Sequence, residues 1–150
     1  MTADVDLLRR LVPATGPFQE FLGYRAEVAA DGSVGVVLEI GERHLSQYGI
    51  AHGGVTLTLL DTAGGLAVLM AAPRLVRVAT ISLAANFVRS VERGRVVATA
   101  RLDYIGGAIA HAAMRLCAES AEGPLLATGH GAYRLFRERG SAADEPRRSP

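Results

Sequence analysis

His52–Ala72 reads HGGVTLTLLDTAGGLAVLMAA, and between Val55 and Ala72 the only charged residue is Asp61. Two glycines open the run, apolar residues recur on every side, and no polar face interrupts them. A helix apolar all round is normally surrounded by protein on every side. The stretch is about as long as the shortest membrane spans, roughly 17–25 residues. Asp61 opposes that placement, since a carboxylate at a span centre costs about 2.5–3.5 kcal/mol on insertion scales. Three threonines and two glycines oppose it further. The run is therefore expected to be the buried core helix of a soluble domain.

The flanking chain supplies strands. Four runs follow the helix: Ala79 to Val91, Arg95 to Ile105, Ala108 to Ser120 and Leu125 to Phe136. Glu92-Arg93-Gly94, Gly106-Gly107 and Glu122-Gly123-Pro124 separate them as hairpin breaks. Before the helix, Glu20–Val28 and Ser33–Ile40 read as a hairpin about Asp31-Gly32. Val5, Leu8, Leu11 and Val12 recur at helical spacing, and Pro13 with Gly16-Pro17 ends that short element. Pro73 is expected to close the long helix. The order is helix, β, β, long helix, then four strands. Antiparallel strands with one dominant helix make an α+β domain, and a sheet curled around the helix explains its apolar surface.

Composition narrows the function. The chain has 150 residues, enough for one domain, with 16 basic and 15 acidic side chains and a net charge of +1. That balance argues against a nucleic-acid binder, which carries a basic stripe. A lone cysteine, Cys117, excludes an intrachain disulfide and a cysteine zinc cluster. His44, His111 and His130 show no metal-ligand spacing, so no metal or cofactor is expected. The first residues lack the basic and apolar regions of a signal peptide, so a cytoplasmic location is expected. Residues 1–17 are expected as an N-terminal helix and linker, 18–136 as the domain, and 137–150 as a disordered polar tail.

Two features could carry chemistry. His52-Gly53-Gly54 starts a helix where backbone N–H groups lack internal partners and the dipole is positive. Glycine lets a ligand approach that backbone closely, so the terminus can hold a developing oxyanion. The plainer alternative is a glycine-rich turn capped by His52. Asp61, a lone carboxylate on an apolar helix, needs partners or a function. Its structural alternative is a carboxylate bonded to Thr58, Thr62 or a nearby backbone group.

Together, His44–Gly65 (HLSQYGIAHGGVTLTLLDTAGG) and Ala79–Arg89 (ATISLAANFVR) resemble the PaaI-like acyl-CoA thioesterases of the hotdog fold. The resemblance rests most on Gly49, His52, Gly53 and Gly54 with Asp61 nine positions after the histidine. It implies a curved antiparallel sheet wrapped around one long helix. It implies that the Gly53 N–H polarises a thioester carbonyl, and that Asp61 acts as nucleophile or as base toward water. It implies an assisting hydroxyl from Thr80, with Ser82 close by. The family's usual Asn six positions before the histidine is replaced by Ser46, with Gln47 beside it. The turn at Ile105–Ala108, where relatives carry basic residues for coenzyme A, is uncharged. Arg89, Arg93 and Arg95 are the substitutes nearest in sequence. Phe87, Leu60 and Leu83 are candidates for lining the acyl pocket, which would accept aromatic or medium-chain groups. A hotdog hydratase or dehydratase and a non-catalytic thioester-binding domain are the competing functions. The histidine-to-aspartate interval favours hydrolysis over the first, and retention of Asp61 favours it over the second.

Helix geometry adds an expectation about assembly. Gly53 and Asp61 lie about 12 Å apart along one helix at about 1.5 Å per residue. A nucleophile must come within about 3–3.5 Å of the carbonyl carbon. One chain therefore cannot offer both groups to one thioester. A homodimer with antiparallel helices can, and the family resemblance extends this to a homotetramer.

Overall fold

A computed structural model describes residues 16–29, 33–72 and 74–137. The elements are α1 (Pro17–Leu22), β1 (Arg25–Val28), β2 (Val34–Ile40), a 3-10 turn (Glu42–His44), α2 (Gly53–Ala71), β3 (Leu75–Phe87), β4 (Gly94–Gly106), β5 (Ile109–Ala118) and β6 (Leu125–Arg137). The strands form one antiparallel six-stranded sheet in the order β1-β2-β4-β5-β6-β3. α2 lies across one face of it. This is the hotdog architecture. The expected helix at Val5–Val12, the turn at Asp31-Gly32, the closing role of Pro73 and the polar tail beyond residue 137 lie outside the described residues.

Two local expectations need correction. Pro17 begins a short helix that takes in Glu20–Leu22, where strand was expected, because its missing N–H costs nothing at the first helical position. α1 then stops at Gly23, whose φ of +81° is the left-handed geometry glycine adopts without strain. The first strand is thereby cut to Arg25–Val28. β3 runs from Leu75 to Phe87 rather than from Ala79 to Val91. It ends where the N–H groups of Val88 and Arg89 both converge on the Leu126 carbonyl, at 2.8 and 3.1 Å, and the chain leaves the sheet edge.

The core forms where α2 meets the inner face of the sheet. Leu59, Leu60 and Val68 have no exposure, and Leu38, Val96, Met114, Leu116 and Tyr133 are also fully buried. Burying each such side chain contributes about 1.5–3 kcal/mol. Length and composition alone would let Gly53–Ala71 cross a membrane, but its core face lies against the sheet.

The helix is not enclosed on every side, contrary to its all-round apolarity. Gly54 and Leu57 are exposed, and Thr58, Asp61, Thr62 and Gly65 are only half-buried, forming one open strip. A single sheet can wrap only one side of a helix. The paired glycines Gly64 and Gly65 also face side chains, not another backbone. A Cβ on Gly64 would run into the Tyr133 hydroxyl and lie 2.7 Å from its Cζ, while one on Gly65 would meet Val78 Cγ2 at 3.5 Å.

Candidate active site

The helix start is built by two histidines. His44 is buried, its Nε2 donates to the Leu22 carbonyl at 2.8 Å, and its Nδ1 accepts from the Gly41 N–H at 2.9 Å. Those partners require the proton on Nε2. The His44 carbonyl accepts the His52 N–H at 2.8 Å, and His52 caps α2 by accepting the Gly54 N–H on Nδ1 at 2.9 Å. His52 and Gly54 thus satisfy one another, and the Gly54 N–H is taken before any ligand arrives. Gly53 is the first residue of α2, so its N–H has no partner inside the helix. It lines a cleft of about 440 Å³ shared with Ile50, Phe87, Arg89, Ser90 and Leu126.

Asp61 is held two turns further on. Thr80 donates to its Oδ1 at 2.7 Å, and Tyr133 donates to its backbone carbonyl at 3.3 Å. Thr58 and Thr62 are not its partners, since their hydroxyls donate to the carbonyls of Gly54 and Thr58. Asp61 is half-buried rather than isolated in the core. Tyr133 pairs with Thr80 across β6 and β3, and such partners share a face of the sheet. Burial and, secondarily, the Asp61 charge push the Tyr133 phenol well above its ordinary value.

A bulge decides which β3 hydroxyl reaches the carboxylate. Thr80 pairs with Tyr133 but Ser82 pairs with Ala132, so the register shifts by one residue between them. The shift reverses the usual two-residue alternation. Thr80 therefore faces α2 while Ser82 faces away, on the outer side of the sheet. Expecting Ser82 to accompany Thr80 is corrected by this irregularity.

The remaining candidates separate. Ser46 shapes its own loop: its hydroxyl donates to the Ile50 carbonyl at 3.0 Å and accepts the Tyr48 N–H at 3.3 Å. Gln47 is exposed on the same loop. Arg89 lines the Gly53 cleft. Arg95 is committed elsewhere, with Nη2 2.5 Å from Glu27 Oε2, and that pairing holds the Glu27 carboxyl below its ordinary value. Arg93 is exposed outside the cleft. The uncharged turn at Gly106-Gly107 is braced by Arg137, whose Nη1 donates to the Gly107 carbonyl at 2.6 Å. Of the acyl-pocket candidates, Phe87 lines the cleft, Leu83 is half-buried against the core, and Leu60 is wholly internal. Sequence reasoning missed Tyr133. The glycines that make room for it, Gly64 and Gly131, were the available signal. Among the described residues, no three His, Cys, Asp or Glu side chains gather as a metal site.

The site is thus in two halves. Near one end of β3, Phe87 stands 3.5 Å from where a Gly53 Cβ would be. Seven residues back, Thr80 holds Asp61. Chemically, the first half offers a backbone donor for an oxyanion, and the second a carboxylate held by one oxygen, Oδ1.

Comparison with known proteins places this geometry. The chain is 36% identical to a Halobacterium salinarum protein provisionally designated an esterase, over 79% of this chain and 83% of that one. It is 27% identical to a similarly designated Thermoplasma volcanium protein, over 80% and 88%. A Bacillus halodurans protein crystallised with CoA superposes with a TM-score of 0.76 at 25% identity, covering 90% of this chain and 89% of that one. A Haemophilus influenzae thioesterase shares the fold with a TM-score of 0.77 at 21% identity, covering 95% and 96%. Residues 48–124, which span the helix N-terminus, Asp61 and Thr80, match the thioesterase superfamily profile, and the chain belongs to that superfamily of thioester hydrolases.

Proposed function

We propose that the protein hydrolyses acyl-CoA thioesters in sites shared between two subunits of a homodimer. Asp61 of one subunit acts on a thioester polarised by Gly53 of the other. The observation that carries the proposal is the division of the site. Asp61 is bonded to Thr80 on an open strip of α2, while Gly53 opens into a cleft two helical turns away. Two copies bring the halves together.

The sheet edges support a second copy. β1 is four residues long, and its Arg25 and Glu27 form a salt bridge at 2.7 Å, a short and charged edge of the kind that resists pairing. β3 is thirteen residues long and exposes Val76, Ile81 and Phe87, each more than half accessible. Among the described residues, no strand covers its outer side. A long apolar edge calls for a partner. Antiparallel pairing of two β3 strands about a two-fold between Leu83 and Ala84 sets Thr80 of one subunit opposite Phe87 of the other. Asp61 and Gly53 follow their strand partners into one site, and the dimer carries two equal sites. Pairs of dimers complete a tetramer.

Coenzyme A as carrier is supported by Arg89 in the Gly53 cleft and by the CoA-bound Bacillus relative. Phe87, Val88 and Leu126 in the cleft suit an aromatic or medium-chain acyl group. In the reaction, an oxygen bonds to the carbonyl carbon while the Gly53 N–H holds the oxyanion. That oxygen comes from a water that has given Asp61 its proton, or from Asp61 itself. Collapse breaks the C–S bond, and the thiolate leaves and takes up a proton. Where water attacked, the free acid is formed directly; where Asp61 attacked, the acyl group remains on its carboxylate as a mixed anhydride, which a water then cleaves to release the acid and restore Asp61.

The test is release of free thiol from an acyl-CoA panel. Asp61→Asn is expected to lose about a hundredfold or more. Mixing inactive Asp61→Asn with an inactive Gly53 variant should restore one working site per heterodimer. Turnover by Asp61→Asn within a few-fold of the parent would remove Asp61 from the chemistry. Absence of recovery despite proven subunit exchange would defeat the shared site.

A further inference from the structure

Tyr133 is fully buried and lies in a slot that two glycines keep open. A Cβ on Gly131 would stand 2.8 Å from both its Cε2 and its hydroxyl, and one on Gly64 would collide with the same hydroxyl. Packing alone would be met by phenylalanine in a narrower slot. The hydroxyl instead reaches the carbonyl of Asp61, at 3.3 Å. That carbonyl lies inside α2, where it already accepts the N–H four residues on. Its second lone pair is the one Tyr133 occupies.

The cross-strand pair Thr80–Tyr133 therefore grips one residue at both ends. Thr80 holds the carboxylate and Tyr133 holds the backbone from which it projects. We infer that Tyr133 is a positioning residue for the reaction: its hydroxyl sets the height and rotation of Asp61 on α2, and so the placement of the carboxylate in the shared site. The inference rests on Asp61 being the acting carboxylate. Because burial and the Asp61 charge keep the phenol protonated, the hydroxyl remains a donor throughout the neutral range.

Tyr133→Phe keeps the ring and removes the contact. Displacement of a reacting group by a fraction of an ångström lowers kcat by about 5- to 20-fold, while KM for acyl-CoA stays within about twofold. In an Asp61→Asn background, the same substitution should change the residual rate by less than about twofold, since the group it positions has gone. Gly64→Ala, which pushes the hydroxyl aside without deleting it, should reproduce the loss of kcat. A folded Tyr133→Phe protein with parental kcat overturns the inference. So does an equal loss in the Asp61→Asn background, and so does failure of Tyr133→Phe to fold, which would assign the hydroxyl to the fold and not to Asp61. The Asp61→Asn protein alone reports on the functional reading, so the two can fail separately.

Discussion

The Thr80 hydroxyl donates a 2.7 Å hydrogen bond to Oδ1 of Asp61, joining the edge strand of the sheet to the one carboxylate on the core helix. The bond crosses nineteen positions of sequence and depends on the register of β3. It restrains the carboxylate through one oxygen. Because β3 is an edge strand of the sheet, the same residue stands at that edge and at the carboxylate.

Thr80→Val removes that donor and keeps the shape. Thioester turnover is expected to fall about 10- to 150-fold, the equivalent of losing a hydrogen bond to a charged group, about 1.5–3 kcal/mol. Thr80→Ser restores the donor and should recover most of the rate. Ser82→Ala, on the opposite face, should leave kcat within about twofold. Steady-state kinetics on the three variants decide it, and an equal effect at Thr80 and Ser82 would contradict the bulge.

Gly53→Ala separates folding from activity. The added methyl meets Phe87 at 3.5 Å, an ordinary contact, so the fold should hold and gain up to about 1 kcal/mol from alanine's helix preference. Turnover should nevertheless fall at least about tenfold, because the methyl stands where the thioester must approach the Gly53 N–H. Parallel melting curves and thiol-release rates test this. Unchanged kinetics would rule out close backbone approach at Gly53.

The adjacent glycines of α2 should respond with opposite signs. Alanine at either position gains about 1 kcal/mol of helix propensity over glycine. At Gly65 the new methyl meets Val78 at 3.5 Å, so the gain survives. At Gly64 it meets the Tyr133 ring, and overpacking of that kind costs about 1–3 kcal/mol. Chemical denaturation should show Gly65→Ala stabilised and Gly64→Ala destabilised. Matching shifts at both positions would contradict the Tyr133 slot.

Stability should fall at alkaline pH through Tyr133. Its folded pKa is raised above the ordinary 10.0, so the folded state holds a proton that the unfolded chain releases. The contribution is complete below the unfolded value and is lost as pH climbs from about 10 toward the folded value. The chain's sixteen basic residues are all arginine, so no lysine titrates across that window. Denaturation midpoints between about pH 8 and 11 should decline for the parent and decline less for Tyr133→Phe. Parallel declines would place the sensitivity elsewhere.

Much of the fold was legible in the order of residues. An all-apolar run opened by His52-Gly53-Gly54, interrupted only by Asp61 and followed by four turn-separated strand patterns, determines a helix wrapped by an antiparallel sheet. Hydrophobic period and turn residues are local signals, and they survive without knowledge of distant partners. The spacing of Gly53 and Asp61 likewise dictated that one helix cannot present both to one thioester. What tertiary structure alone decided is which side chains meet. Pro17 opens α1 and Gly23 closes it, which takes Glu20–Leu22 out of the strand their alternation suggested. Thr80 and Ser82 look equivalent by alternation, yet the bulge after Thr80 turns one toward Asp61 and the other away. Arg89 and Arg95 look equivalent by charge, yet Glu27 claims Arg95 across the sheet. Tyr133 carried no motif, and its relation to Asp61 exists only because β6 pairs with β3 beneath α2, with Gly64 and Gly131 leaving room. Contacts between residues dozens of positions apart depend on strand register and on the volume left between elements, and neither is written in any local stretch of the chain.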